Sequence, residues 1–224
     1  MRTKQKVYRR SVLLGSSMAL LLGGLFTPWG VVAQTPAKKI VVLGDSISAE
    51  YGLPRGSGWV ALLEQRLQAE KRPFTVVNAS VSGDTTAGGR SRLPALLAQH
   101  HPAIVVIELG GNDALRGLPL ASTRQNLQAM TQAAQAAGAK VLLAGMQVPP
   151  NYGRDYGQQF ATLFANIAQE QKTALVPFLL QGIADGPDPL ALFQPDRIHP
   201  SAAAQPLMLN NLWPALRPLL RPAQ

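Results

Sequence analysis

Five short, predominantly apolar runs punctuate the chain, at 39–43, 74–77, 104–107, 141–144 and 174–176. They are rich in Val, Ile and Leu and show no polar alternation. Such runs read as strands covered on both faces, the condition of a parallel sheet. Longer stretches lie between and after them, at 59–71, 93–100, 123–137, 156–172 and 201–216. The first of these places Val60, Leu63 and Leu67 at helical spacing with charges between them. Gly138 stops the third, and Pro206 and Pro214 are expected to kink the last. Segment 181–195 holds three prolines and little periodicity, and is expected to be a loop. Strands alternating with helices predict an α/β fold with a five-stranded parallel sheet. Right-handed crossovers then place helices on both faces, giving three α/β/α layers.

In such sheets ligands bind beyond the carboxyl ends of the strands, so reactive residues should gather there. Four sets do. The first run leads into Gly44-Asp45-Ser46-Ile47-Ser48, and the second into Asn78-Ala79-Ser80-Val81-Ser82-Gly83-Asp84. The third leads into Gly110-Gly111-Asn112-Asp113, and Asp196-Arg197-Ile198-His199 precedes the last helix. Acyl transfer needs a hydroxyl, a base to remove its proton, and a carboxylate to orient the base. It also needs preorganised donors for the oxyanion. Ser46 supplies the hydroxyl and His199 the base, and Asp196 is close enough in sequence to reach the far ring nitrogen. The amides of Ser46 and Gly83 and the side chain of Asn112 supply donors. No metal or cofactor is required, and none is expected.

Each set alone is ordinary turn material. Asp196 and Ser201 are also acceptable helix caps. His100 and His101 fit a helix end, where the dipole favours them without any catalytic role. The joint occurrence of four sets on one rim carries the inference.

Composition narrows the alternatives. Apolar residues make up 46% of the 224 and charged residues 15%, as in a folded domain. There is no cysteine, so disulfides, thiolate nucleophiles and Cys-based metal sites are excluded. The net charge of +9 is concentrated at the start, where Arg2, Lys4, Lys6, Arg9 and Arg10 stand without an acid. An apolar or small run at 12–25 and small residues at 31–33 follow. This is the layout of a secretory signal peptide. Residues 1–33 are expected to be removed after Ala33, leaving a domain at 34–224 that is periplasmic or secreted. An uncleaved anchor is the alternative, but the apolar core falls short of the roughly 20 residues of a spanning helix. Arg9-Arg10-Ser11-Val12-Leu13 also resembles a twin-arginine export signal, and the export route stays open. Removing those five basic residues takes the formal charge from +9 to +4. No basic run remains to track a phosphate backbone, so no nucleic-acid partner is expected.

The four blocks Gly44-Asp45-Ser46-Ile47-Ser48, Gly83, Gly110-x-Asn112-Asp113 and Asp196-x-x-His199 resemble, in order, those of the SGNH (GDSL) hydrolases. Ile47 stands where that family usually has Leu, a volume-conserving difference. The stretches 76–85, 108–117 and 150–154 are similar to its periplasmic thioesterase, lysophospholipase and arylesterase branch. The resemblance implies a flavodoxin-like sheet of order 2-1-3-4-5. It implies Ser46 as nucleophile, His199 as base, Asp196 as its partner, and Ser46, Gly83 and Asn112 as the oxyanion hole. It further implies that the loop 114–120 lines an acyl groove, with Leu115, Leu118 and Leu120 either in the groove or in ordinary packing. The expected substrates are aryl and short-chain esters, lysophospholipids and acyl thioesters, with transient contact to membrane lipid. Oligomeric state is not legible.

One enzyme reading and two binding readings compete with this. Related SGNH branches deacetylate carbohydrates. A periplasmic lipid carrier on a degenerate scaffold would not need the intact set at Ser46, Gly83, Asn112, Asp196 and His199. A flavin or nucleotide binder would need a better phosphate loop than Gly83-Asp84-Thr85-Thr86.

Overall fold

The computed structural model describes residues 37–221; the expected signal segment and its cleavage point lie outside them. Five parallel strands form the sheet: β1 Lys38–Gly44, β2 Phe74–Asn78, β3 Ile104–Glu108, β4 Lys140–Ala144 and β5 Ala174–Val176. Their order is β2-β1-β3-β4-β5, as the family resemblance implies. β1 lies between β2 and β3, with Val42 level with Asn78 on one side and Val106 on the other. Val41, Val42 and Leu43 are fully buried, as are Val105, Val106 and Ile107. Two-sided coverage is why these runs are apolar at every position.

Among the described residues there are six helices, α1 Trp59–Ala69, α2 Thr86–His100, α3 Gly111–Leu115, α4 Leu120–Ala136, α5 Arg154–Gln171 and α6 Gln205–Leu216, and all but the short α3 pack over the sheet. α1 packs with α6 on one side, and α4 packs between α2 and α5 on the other. The first turn of α1 has no side-chain cap at Gly58. Its orphan donors are satisfied from elsewhere. The Glu50 carboxylate accepts from the Gly56 and Gly58 amides, and Gln205 Oε1 accepts from the Trp59 amide at 3.0 Å.

Three helices depart from the sequence reading. α2 starts at Thr86 rather than near 93, capped by Thr85 Oγ1, which accepts from the Gly88 amide. Gly88 and Gly89 weaken the helical signal, since glycine disfavours a helix by about 1 kcal/mol. Gly89 is used for packing. A Cβ there would lie 2.3 Å from Leu109 Cδ1 and 3.3 Å from Met130 Sδ of α4. α3, expected as a turn, is a short helix that follows Gly110 at φ 121°. The last helix is shorter than expected: Ala202–Ala204 forms a 3-10 turn, and Pro206 stands in the first turn of α6 and not within it. A proline is tolerated there because its missing N–H would have been an orphan. Segment 181–195 is a loop of turns, as expected.

The end of β1 is the tightest point under the rim. A Cβ at Gly44 would lie 2.7 Å from Ser48 Cβ and 2.8 Å from Glu108 Oε2, both on buried side chains. Gly44→Ala is therefore expected to destabilise by about 1–3 kcal/mol, the usual cost of overpacking. Urea denaturation of the two proteins checks this; an unchanged midpoint would show that the turn can relax.

Candidate active site

The chain leaves β1 into a tight turn. The amides of Ser48 and Ala49 donate to the Asp45 carbonyl, and the Ile47 amide donates to Asp45 Oδ1 at 3.0 Å. This winds the backbone so that Ser46 stands on the turn, half-buried, while Asp45 and Ser48 point inward and are buried. The Ser46 amide has no protein acceptor among the described residues.

His199 comes to Ser46 from the other end of the chain. Its Nε2 lies 2.8 Å from Ser46 Oγ, and its Nδ1 lies 2.7 Å from Asp196 Oδ2. Asp196 Oδ1 accepts from the amides of Ile198 and His199 at 2.9 and 3.0 Å, which wraps the loop around the carboxylate. That wrap needs Arg197 in the left-handed region, at φ 59°. Those two backbone donors, His199 first, pull the Asp196 carboxyl down to about 2, and the imidazole adds to the effect. Asp196 stays ionised and holds the imidazole in one tautomer, with Nδ1 as donor and Nε2 free to accept. The loop is pinned on both sides. The Gln194 amide donates to the His199 carbonyl at 2.7 Å, and Gln194 Nε2 donates to the carbonyls of Tyr51 and Pro200. The Tyr51 ring lies against the imidazole, with centroids 4.3 Å apart.

Gly83 and Asn112 lie on segments tied to the nucleophile turn, where the Val81 amide donates to the Gly44 carbonyl at 3.0 Å and Asn112 bonds Asp45. Gly83 has φ 77°, a conformation that favours glycine, and its amide has no protein acceptor among the described residues. Arg116 Nη2 donates to its carbonyl at 2.8 Å, tying the loop after β2 to the loop after α3. Arg92 makes a second tie. It pairs with Asp84 at 2.7 Å and donates to the carbonyls of Ala79 and Gly44. Asn112 projects from α3, and its Nδ2 donates to Asp45 Oδ2 at 2.9 Å. The next residue faces the core: Asp113 accepts from the Thr86 amide and hydroxyl and from Thr123 Oγ1, which binds α3 to α2 and α4. Ser46, Gly83, Asn112, Asp196 and His199 thus come to one rim.

The three leucines of the loop separate. Leu115 and Leu118 are exposed, at 43% and 36%. Leu120 is half-buried at the start of α4, packed on the core beside a shallow groove it shares with Leu163.

Two buried carboxylates lie beneath the nucleophile turn. Glu108, at the end of β3, accepts from Ser48 Oγ at 2.7 Å and from the Asp45 amide at 3.3 Å, and its Oε1 has no hydrogen-bond partner among the described residues. Burial, and then the Asp45 charge, push its carboxyl well above the usual range. Burial also raises Asp45, to about 6, against the pull of the Ile47 amide, Asn112 and His199. An acid directly after an entirely apolar run is the one sequence signal that could have flagged Glu108. Tyr51, Gln194, Arg92 and Arg116 carry no such signal. Among the described residues no group of three or more His, Cys, Asp or Glu is placed to hold a metal ion.

A hydroxyl on an imidazole, a carboxylate on its far nitrogen and open N–H donors beside it form the working parts of a serine-type hydrolase. Comparison with known proteins gives the same class. The profile of the GDSL-like lipase/acylhydrolase family matches residues 42–206, and the chain belongs to that family. It is 54% identical to esterase TesA of Pseudomonas aeruginosa over 202 residues, covering 90% of this chain and 99% of that protein. It is 41% identical to thioesterase 1/protease 1/lysophospholipase L1 of Escherichia coli K12, over 82% of this chain and 86% of that one. The crystal structure of the psychrotrophic esterase EstA from a Pseudoalteromonas species, inhibited by monoethylphosphonate, superposes with a TM-score of 0.76. It is 40% identical and covers 82% of this chain and 98% of that one.

The raised Asp45 carboxyl has a consequence for stability. A group whose pKa is higher folded than unfolded contributes stability below its unfolded value, near 3.9, and loses it as pH rises through the folded value. Between about pH 4 and pH 7 wild-type protein should therefore lose more stability than Asp45→Asn does. Urea midpoints at both pH values check this, and parallel losses in the two proteins would contradict it.

Proposed function

We propose that the protein is a serine esterase that works through an acyl-enzyme. The observation that carries this is the unbroken relay from Asp196 through His199 to Ser46, with contacts of 2.7 and 2.8 Å. His199 Nε2 takes the Ser46 proton as Oγ attacks the acyl carbon. The carbonyl oxygen becomes an oxyanion facing the amides of Ser46 and Gly83 and the Asn112 side chain. When the tetrahedral species collapses, the bond to the leaving oxygen or sulfur breaks, and the Nε2 proton passes to that atom. Water then attacks the acyl-enzyme. Its proton goes to Nε2 and from there to Ser46 Oγ as the acid is released.

Carboxylic esters and thioesters are the proposed substrates: aryl and short-chain acyl esters, lysophospholipids and acyl-CoA. The names of the relatives support this range. Exposed apolar side chains stand on or beside every rim loop: Tyr51, Val81, Leu115, Leu118 and Ile198. They favour an acyl chain over a carbohydrate ring and suit transient contact with membrane lipid. The basic and then apolar N-terminal segment supports export, with the working domain beginning near Gln34 in the periplasm or outside the cell.

Two measurements follow. Ser46→Ala should lower kcat on p-nitrophenyl esters by about 10⁴–10⁶ with the fold kept, and Asn112→Ala by about 10²–10³; full activity in either removes that residue from the mechanism. A chain-length series should show turnover continuing past acetate to hexanoate and octanoate. Activity confined to acetate would instead support the deacetylase reading.

A further inference from the structure

We infer that Asp45 is a positioning residue for the oxyanion hole: its carboxylate fixes Asn112 with the amide nitrogen, and not the oxygen, turned toward the reacting carbonyl. This rests on the catalytic reading above. A carboxamide has two ends of nearly equal size, and only its hydrogen bonds decide which end faces where. Above about pH 6, where Asp45 is ionised, its carboxylate accepts and cannot donate, so Asp45 Oδ2 can hold only the Nδ2 end of Asn112. Among the described residues that is the one hydrogen bond the Asn112 side chain makes. It leaves the second N–H free, on the rim with the open amides of Ser46 and Gly83. A flipped Asn112 would present Oδ1, and a lone pair there would repel an oxyanion.

The carboxylate itself is held. Asp45 Oδ1 accepts from the Ile47 amide at 3.0 Å, on the same turn that carries Ser46. From below, Glu108 Oε2 accepts from the Asp45 amide and from Ser48 Oγ. Asp45 is 2% exposed, so bulk water does not replace the contact. One turn therefore sets both the nucleophile and the orientation of a donor that comes from another strand.

The isosteric variant is the informative one. In Asp45→Asn the new side chain keeps an oxygen for the Ile47 amide and places an NH₂ where Oδ2 was. Two NH₂ groups then face each other, and a flip of Asn112 relieves the conflict by sending its oxygen into the hole. Asp45→Ala imposes no such conflict. Asp45→Asn should therefore lower kcat about 10²-fold or more, near the loss from a missing oxyanion donor. Asp45→Ala should cost about 10-fold or less, with KM little changed in both. In an Asn112→Ala background, either Asp45 substitution should cost less than about 3-fold more. A residue that merely packs would give the opposite order, with the isosteric change the milder one, and equal costs in both backgrounds. Either of those results overturns the inference. Thermal melts report whether each variant folds. If Asp45→Asn does not, the cycle with Asp45→Ala alone decides by its additivity. Ser46→Ala in the same assay separates the two levels: retained turnover there defeats the catalytic reading itself, whereas additive Asp45 costs with inactive Ser46→Ala defeat only the role of Asp45.

Discussion

Strand β1 is hydrogen-bonded along both edges, to β2 and to β3, and its central residues have no exposure on either face. It cannot slide or tilt without breaking two ladders and opening two apolar layers. The three strands run parallel and in register, so their ends emerge together. Gly44 pairs with Glu108 in the β1–β3 ladder, and Val42 pairs with Asn78 on the other side. The turn with Ser46, the loop with Gly83 and helix α3 with Asn112 all leave from that common edge. The His199 loop is the one component not launched from these three strands, and it is fastened to the Tyr51 loop through Gln194.

Holding the rim together places charge where burial opposes it. Glu108 and Asp45 sit directly under the nucleophile turn, and burial raises both carboxyls. Removing a buried charge's partner is costly, because the remaining group keeps its desolvation penalty. Arg92 serves a comparable purpose at the β2 side, where it joins the Gly44 and Ala79 carbonyls to Asp84. These groups do not touch a substrate in the scheme above. They fix loops whose exposed N–H groups must stay in place as charge develops, and such preorganisation is the main source of oxyanion stabilisation.

The strands were legible because a two-sided environment leaves an unmistakable apolar run; each starts and ends within one residue of the expected position. The helices were legible in their amphipathic parts and not where packing overrides propensity, as at Gly88 and Gly89 in α2. The candidate site residues were legible as three strand-end sets and one loop ahead of the last helix, since each combines a reactive side chain with turn chemistry. What bound those sets together was not. Asp45 read as part of a turn, and its contact with Asn112 spans 67 positions. Arg92, Arg116 and Gln194 act on backbone carbonyls, and a bond of that kind leaves no pattern in one sequence. The loop leucines read alike, yet Leu120 joins the core while Leu115 and Leu118 face solvent.

The central claim is a covalent intermediate on Ser46. Wild-type protein can be mixed with p-nitrophenyl butyrate, quenched in acid during turnover, digested and mapped by mass. The account predicts a butyryl group on the peptide that contains Ser46, at that residue. Steady turnover with no acyl adduct, or with the adduct on another side chain, would contradict it.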